Sequence, residues 1–510
     1  MTGAGPANSA SPTPVGTRPG GRPDRTLPVR PGLRRELGLW ETAALSIGLM
    51  APTLAMSLTG VGPAGLLGRA APLAFMFAAV GVLVVSYGFV RLSGAFAHAG
   101  SVYAFVGNTL GPRAGFLTSW ALLGTYLVFP AVSIAGVAVF GQAFLRATGW
   151  APSADWFPIA VVGWAVVWLL AARGVRPNTR SLLAFEAVSV LLILVLVGVI
   201  FAKLGAGTAP HGATLSLDFL RLPAGTAVGT VALAATFGFL AFAGFESAGS
   251  LGEESLRPTS AVPRAILLAV GIGAVFYIVC MIAQTLGFGT SPAGVSAFAH
   301  SSAPLNDLAQ AYVGSGLAAV LDAGAVLSAV GAGLGGVMVG ARMMFAFSRD
   351  GVLARPLARV SPASGTPRVA LAVEMLVAIA LLTGFRIEGT APLHAFFYLA
   401  TIGVLNLLVM YVLTNIAAAR FLWRQSRSLA QLLLPAAGAA AAAYVLYRNV
   451  WPQPEGAFAV LPYFCAAWLG VGLLATLLVP GLPRRVAAGL AAQQTPPRRG
   501  GDGAGHNTDG

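Results

Sequence analysis

Charge is scarce in this chain. Of its 510 residues 9% are charged, against roughly 25% in soluble domains, and lysine occurs once, as Lys203. With 56% hydrophobic residues and a mean hydropathy of +0.79, the composition excludes an ordinary soluble domain and points to a polytopic, all-α integral membrane protein. Cysteine is almost missing: Cys280 and Cys465 both fall inside apolar runs, which excludes a disulfide framework. Five scattered histidines lack metal-ligand spacing, so neither a metal nor another cofactor is expected. Paired His and Asp clusters and a sizeable soluble segment are also lacking, which sets an integral-membrane enzyme aside.

What is present is a series of apolar runs, each long enough for a hydrocarbon core of about 30 Å at about 1.5 Å per residue. About twelve are placed, starting near Leu39, Pro72, Phe116, Trp156, Ser181, Ala227, Ala265, Leu317, Val369, Leu393, Leu429 and Ala457. The formal charge of +14 raises the question of nucleic acid. Its distribution answers it: with the N-terminus inside, 25 of the 31 Lys and Arg fall on cytoplasmic segments, and six, Arg69, Arg146, Lys203, Arg221, Arg386 and Arg448, fall outside. That bias orients a membrane protein with both termini cytoplasmic and offers no basic face on a folded soluble domain. Residues 1–37 and 481–510, rich in Pro, Gly and Arg, read as disordered cytoplasmic tails.

Two spans are interrupted. The first reads LSIGLMAPTL from Leu45 to Leu54, where Gly48 and Pro52 weaken the helix and proline disfavours helical geometry at Ala51. The sixth, within FGFLAFAGFESAGSLGEESLRPTSAVPRA from Phe237, breaks at Ala243-Gly244 and then places Glu246 in mid-membrane. An acidic residue there costs roughly 2.5–3.5 kcal/mol on insertion scales, so it persists when protonated, paired or facing a wet cavity. Interrupted segments at corresponding places of two halves point to an inverted-repeat carrier with its site at the breaks. The expected fold has about 12 transmembrane helices as a five-plus-five inverted repeat, residues 38–204 and 205–424, with helices 1 and 6 discontinuous and helices 11 and 12 appended over 425–480. A channel built from rings of like residues fits this two-fold pattern poorly. Carriers with two parallel six-span halves expect a long central loop, and the link after the sixth run is only a dozen or so residues.

Four segments, GLWETAALSIG from Gly38, HAGSVYAFVGNTLGPRAGFLTSW from His98, GFESAGSLGEESLRPTSAVPRAI from Gly244 and RMMFAFSRDGVLARPLARVSPASGTPRVAL from Arg342, resemble the amino acid–polyamine–organocation superfamily of permeases in this order and spacing. The resemblance implies a secondary transporter of the cell membrane that moves amino acids or related amines by alternating access, with proton symport expected; polyamine import and amino acid exchange are alternatives within the same fold. Its partners would be the small-molecule substrate, protons and the lipid bilayer.

Carried over residue by residue, the resemblance makes Gly48, Ala51, Pro52, Thr53 and Leu54 the unwound part of the first span. Phe242, Ala243 and Gly244 become that of the sixth, and Thr125, Tyr126 and Thr401 would face the cavity. In such permeases amides of the first break hold a substrate carboxylate and carbonyls of the sixth hold its amino group. The helix ends supply a physical reason, since free amides favour anions and free carbonyls an ammonium. This chain departs from the usual small glycine run by having Pro52-Thr53-Leu54, which removes one amide and raises the standing of a substrate without a carboxylate. Glu246 is the expected proton-coupling residue. Glu186 in the fifth span competes for that role, against ordinary pairing with Arg180. Asp322 and Glu374 read first as interface-pairing residues. A lysine in the fifth span that stands in for an ion in some permeases is absent at that depth, and for sodium the eighth span offers only Ser328 amid Gly and Ala, beside backbone carbonyls. Glu253, Glu254, Arg257 and Arg264, just beyond the sixth span, resemble an inner gate of paired charges, with a solvated charge run as the alternative.

Overall fold

The computed structural model describes residues 38–96, 102–173, 179–251, 255–361 and 365–494. All regular structure among them is helical: α1 (Leu39–Met50), α2 (Pro52–Leu58), α3 (Val61–Leu67), α4 (Ala71–Ala95), α5 (Val102–Leu110), α6 (Pro112–Thr148), α7 (Trp156–Arg173), α8 (Thr179–Gly205) and α9 (Val228–Phe242) form the first half of the series. It continues with α10 (Pro258–Phe288), α11 (Pro292–His300), α12 (Pro304–Tyr312), α13 (Ser315–Arg349), α14 (Arg368–Ile387), α15 (Pro392–Ser426), α16 (Leu429–Val450), α17 (Leu461–Leu478) and α18 (Leu482–Gln494). In lipid every backbone amide and carbonyl must be satisfied within the protein, which is why so apolar a chain resolves into helices alone.

Among the described residues eleven helical stretches are long and apolar enough to span a bilayer, one fewer than the apolar runs. The missing one is the sixth. Its helix α9 stops after 15 residues at Phe242, and past Gly244 the chain turns as a 3₁₀ segment, Phe245–Leu251, rather than resuming an α-helix. The sixth crossing is therefore split between a short helix and an irregular continuation, a form that backbone takes at membrane depth only where protein surrounds it or it lines a wet cavity.

Packing between spans relies on small residues. The long helices α6 and α13 lie against each other with Gly333 over Ser133, and Gly136 faces both Ala329 and Leu54. Glycine at such contacts lets backbones approach and replaces the absent hydrophobic drive between helices in lipid. Elsewhere the contact is aromatic: Trp120 of α6 and Trp468 of α17 stack at 4.3 Å, each indole nitrogen donating to the other's backbone carbonyl at 2.8 Å. Gly472 lies under the Trp120 ring and Gly124 under that of Trp468, so the pair seats α17 on α6.

At one end of the bundle the terminal helix α18 buries Leu482, Val486 and Leu490. Leu490 sits on Gly107 of α5, and Gly489 lies against the Asp350 carboxylate, which also accepts from the Tyr103 hydroxyl at 3.2 Å. Burial and the neighbouring Asp350 carboxylate push the Tyr103 phenol well above its ordinary value. The region read as a disordered tail over 481–510 thus begins with a docked helix: leucine and valine recurring every four residues give it one apolar face to bury.

Candidate functional site

Both interruptions are real and they meet. At the first, α1 ends at Met50, Ala51 adopts a left-handed conformation (φ 47°, ψ 62°), and Pro52 starts α2. Proline has no amide to leave unsatisfied and its fixed φ suits a first helical position; its ring also disfavours ordinary helical geometry at the residue before it. Ala51 therefore carries the bend, donating its amide to Gly48 at 3.3 Å.

At the second, Phe242 ends α9, Ala243 is extended, and Gly244 takes φ 116°, which a residue with a Cβ adopts at a cost. A Cβ added to Gly244 would stand 3.0 Å from the carbonyl carbon of Leu49 and from the Met50 nitrogen. The turn of one broken span thus lies directly against the last turn of the other.

Each break holds one carboxylate. Glu246, 7% exposed, receives the Gly244 amide at 3.0 Å, the Tyr126 hydroxyl of α6 at 3.0 Å and the Tyr411 hydroxyl of α15 at 3.2 Å. Glu186 of α8, 8% exposed, receives the Thr53 amide at 2.8 Å and lies within electrostatic reach of the Ser328 hydroxyl of α13. That Ser328 oxygen accepts the Leu54 amide at 3.2 Å. So the two amides expected to receive a substrate carboxylate are given to protein groups. Arg180, the expected partner of Glu186, has a side chain outside the described residues; what the structure brings to Glu186 is the first break.

The other expected cavity residues divide. Tyr126 reaches the centre through Glu246. Thr125 donates to the Gly403 carbonyl at 2.9 Å in the contact between α6 and α15, and Thr401 donates back to Phe397 of its own helix at 2.8 Å. Both hydroxyls are thus bonded to backbone carbonyls, and that of Thr125 ties α6 to α15. Gly48, Ala51, Pro52, Thr53, Leu54, Phe242, Ala243 and Gly244 all lie at the two breaks. Of the four residues expected to form an inner gate, Glu253 and Glu254 lie outside the described residues, and Arg257 and Arg264 are both exposed at the start of α10.

Tyr411 and Tyr277 went unnoticed in the sequence. Each is one of several aromatics in a long apolar helix, and only three-dimensional contact separates a hydroxyl aimed at a carboxylate from a ring used for packing. Asp322 of α13 accepts from Asn306 of α12 at 2.5 Å, and Asn306 in turn accepts from Gln310 at 2.6 Å; this is the interface role expected of it. Glu374 of α14 is fully buried, with neither carboxyl oxygen hydrogen-bonded, over Gly340 of α13. No group of three or more His, Cys, Asp or Glu suited to a metal occurs among the described residues.

Known proteins match this arrangement along most of the chain. The family described as amino acid permease matches residues 43–451, a stretch that includes both breaks. A branched-chain amino acid permease of Bacillus subtilis (strain 168) is 28% identical over 355 residues, 66% of this chain and 72% of the relative. A low-affinity putrescine importer of Escherichia coli (strain K12) is 25% identical over 463 residues, 87% of this chain and 93% of the relative. A methylthioribose transporter of Bacillus subtilis (strain 168) is 26% identical over 353 residues, 66% and 72% of the two chains. With the family matched across some four-fifths of its length and both interrupted spans within the match, the chain belongs to the amino acid permease family.

Proposed function

We propose that this permease is a secondary transporter that carries amino acids or related amines across the cytoplasmic membrane by alternating access, coupled to protons, with both termini in the cytoplasm. The observation that carries the reading is the contact between the breaks, Gly244 against Leu49 and Met50, with one buried carboxylate at each. Broken helices joined at one point leave backbone groups for a ligand and can be rearranged by small rotations, as unbroken helices cannot. Residues 38–204 and 205–424 act as two five-helix repeats that rock about this point, and Arg257 and Arg264 belong to the inner gate with Glu253 and Glu254. The relatives named as carriers of a branched-chain amino acid, putrescine and methylthioribose support small polar or amphipathic cargo.

Glu246 is the proton-carrying group in this reading. Its three donors suit the ionised form; protonation converts one oxygen from acceptor to donor and sets it against a tyrosine hydroxyl or the Gly244 amide. Gain of a proton therefore loosens the second break, and the loosening is the coupling step. Purified protein in proteoliposomes tests this. A pH gradient should drive uptake by the native chain and fail to drive it in Glu246→Gln, with exchange of preloaded substrate retained. Equal pH-gradient dependence in the two proteins rejects the coupling role.

A further inference from the structure

The first break is furnished for a cation. In a continuous helix the amides of Thr53 and Leu54 would close on the carbonyls of Leu49 and Met50, four residues back. Here they are donated to Glu186 and Ser328 instead. Those two carbonyls thus lose their usual helical donors at the C-terminal, electronegative end of the 12-residue α1.

A third acceptor stands nearby. Tyr277 of α10 is completely buried, and its hydroxyl has no hydrogen-bond partner, whereas the tyrosines at the second break, Tyr126 and Tyr411, both donate to Glu246. The Tyr277 hydroxyl lies within electrostatic range of Glu186. Its ring is held edge-on by Phe242 at 5.0 Å, so it stands between the two breaks. One turn earlier, Gly273 lets the Met50 side chain of the first break and the Phe242 ring of the second approach α10 together. A buried hydroxyl without a partner keeps its full desolvation penalty, which a ligand's N–H group would relieve.

No fixed positive charge competes. The basic residues described stand within about two turns of a helix end or in linking segments. Around Glu186, α10 presents Tyr277 and Cys280, α13 presents Ser328, and α2 carries no ionisable side chain. Asp322 lies six residues before Ser328, about 9 Å along the α13 axis, and is bonded to Asn306.

We propose that the first break binds a protonated amine, held between the Glu186 carboxylate, the Tyr277 hydroxyl and the carbonyls of Leu49 and Met50. The proposal rests on the carrier reading above and inverts its expected polarity, since a carboxylate at this break would have to displace Glu186. A cation lacking a carboxylate meets acceptors only.

Three probes separate the possibilities: leucine, leucinamide, which keeps the amine and loses the carboxylate, and putrescine. Binding is read from the thermal midpoint of the purified full-length protein and from uptake into proteoliposomes, in sodium-free and sodium buffers. Leucinamide and putrescine should raise the midpoint of the native protein in sodium-free buffer and leucine should do so far less, because a ligand that binds only the folded state stabilises it. Tyr277→Phe should weaken amine affinity about tenfold, the loss expected when a hydrogen bond to a charged group is removed, with its ligand-free midpoint unchanged or raised. Glu186→Gln should weaken it further. Stabilisation by leucine exceeding that by leucinamide overturns the proposal while upholding the carrier reading. A sodium-dependent shift without any amine also overturns it, by assigning these acceptors to a metal cation. If no probe either binds or is carried, the proposal fails and the carrier reading loses its amine and amino acid cargo.

Discussion

Gly244 is the residue on which the geometry of the centre turns. Its φ of 116° and the 3.0 Å approach of its missing Cβ to the backbone of Leu49 and Met50 act together. An added methyl group meets rigid backbone, which has no rotamer to give way. Gly244→Ala should lower stability by roughly 1–3 kcal/mol, the cost of a strained conformation, and abolish uptake, both measurable on protein that still inserts. Retained transport at a native midpoint would show that the breaks separate freely. Glu374 makes the opposite case. Its carboxyl is buried without hydrogen bonds and presses on Gly340, so Glu374→Met, which keeps the volume and removes the polar group, should raise the midpoint by the equivalent of about 1–3 kcal/mol. A fall would show that the carboxyl is satisfied in a way the contacts around it do not provide.

Among the elements, α17 is seated on α6 by an aromatic pair. The stacked Trp120 and Trp468 exchange indole hydrogen bonds with each other's backbone and fill the hollows over Gly124 and Gly472. Trp468→Ala removes the ring and leaves the Trp120 carbonyl without its indole donor, a loss of roughly 3–5 kcal/mol for a large aromatic cut to alanine. The expected result is early loss of α17 on heating, seen as protease cleavage near the link that precedes it, with substrate binding at the breaks intact. Unchanged cleavage would assign the anchoring of α17 to its remaining contacts with α15. The α18 helix shows how an element escapes a compositional reading: arginine and alanine dominate Leu482–Gln494, yet Leu482, Val486 and Leu490 recur on one face and find α5 and α6 to cover them.

For the whole molecule the charge distribution gives an orientation that direct labelling checks. Cys280 and Cys465 are both buried, so added surface cysteines react against a low background. Ser302→Cys, exposed between α11 and α12, should be labelled from outside intact cells by a membrane-impermeant maleimide. Gln425→Cys, exposed at the end of α15, should be labelled only after the cells are opened. The reverse pattern would invert the proposed topology and with it the inner position of Arg257 and Arg264.

The approximate places of the spans, the interruptions at Ala51-Pro52 and Ala243-Gly244, and the carboxylate Glu246 beside the second of them were all determined by local sequence. Hydrocarbon thickness, backbone hydrogen bonding and the restrictions of proline and glycine act within a few residues of each position. Tertiary structure alone decided what those features touch. That Tyr126 and Tyr411, 285 positions apart in numbering, both reach Glu246, that Glu186 takes the Thr53 amide, and that Tyr277 is left with none of these bonds depend on which faces of α6, α8, α10 and α15 turn inward. In lipid that rotation is set by small-residue packing between distant helices, and the apolar pattern of each span, hydrophobic on every side, carries no record of it.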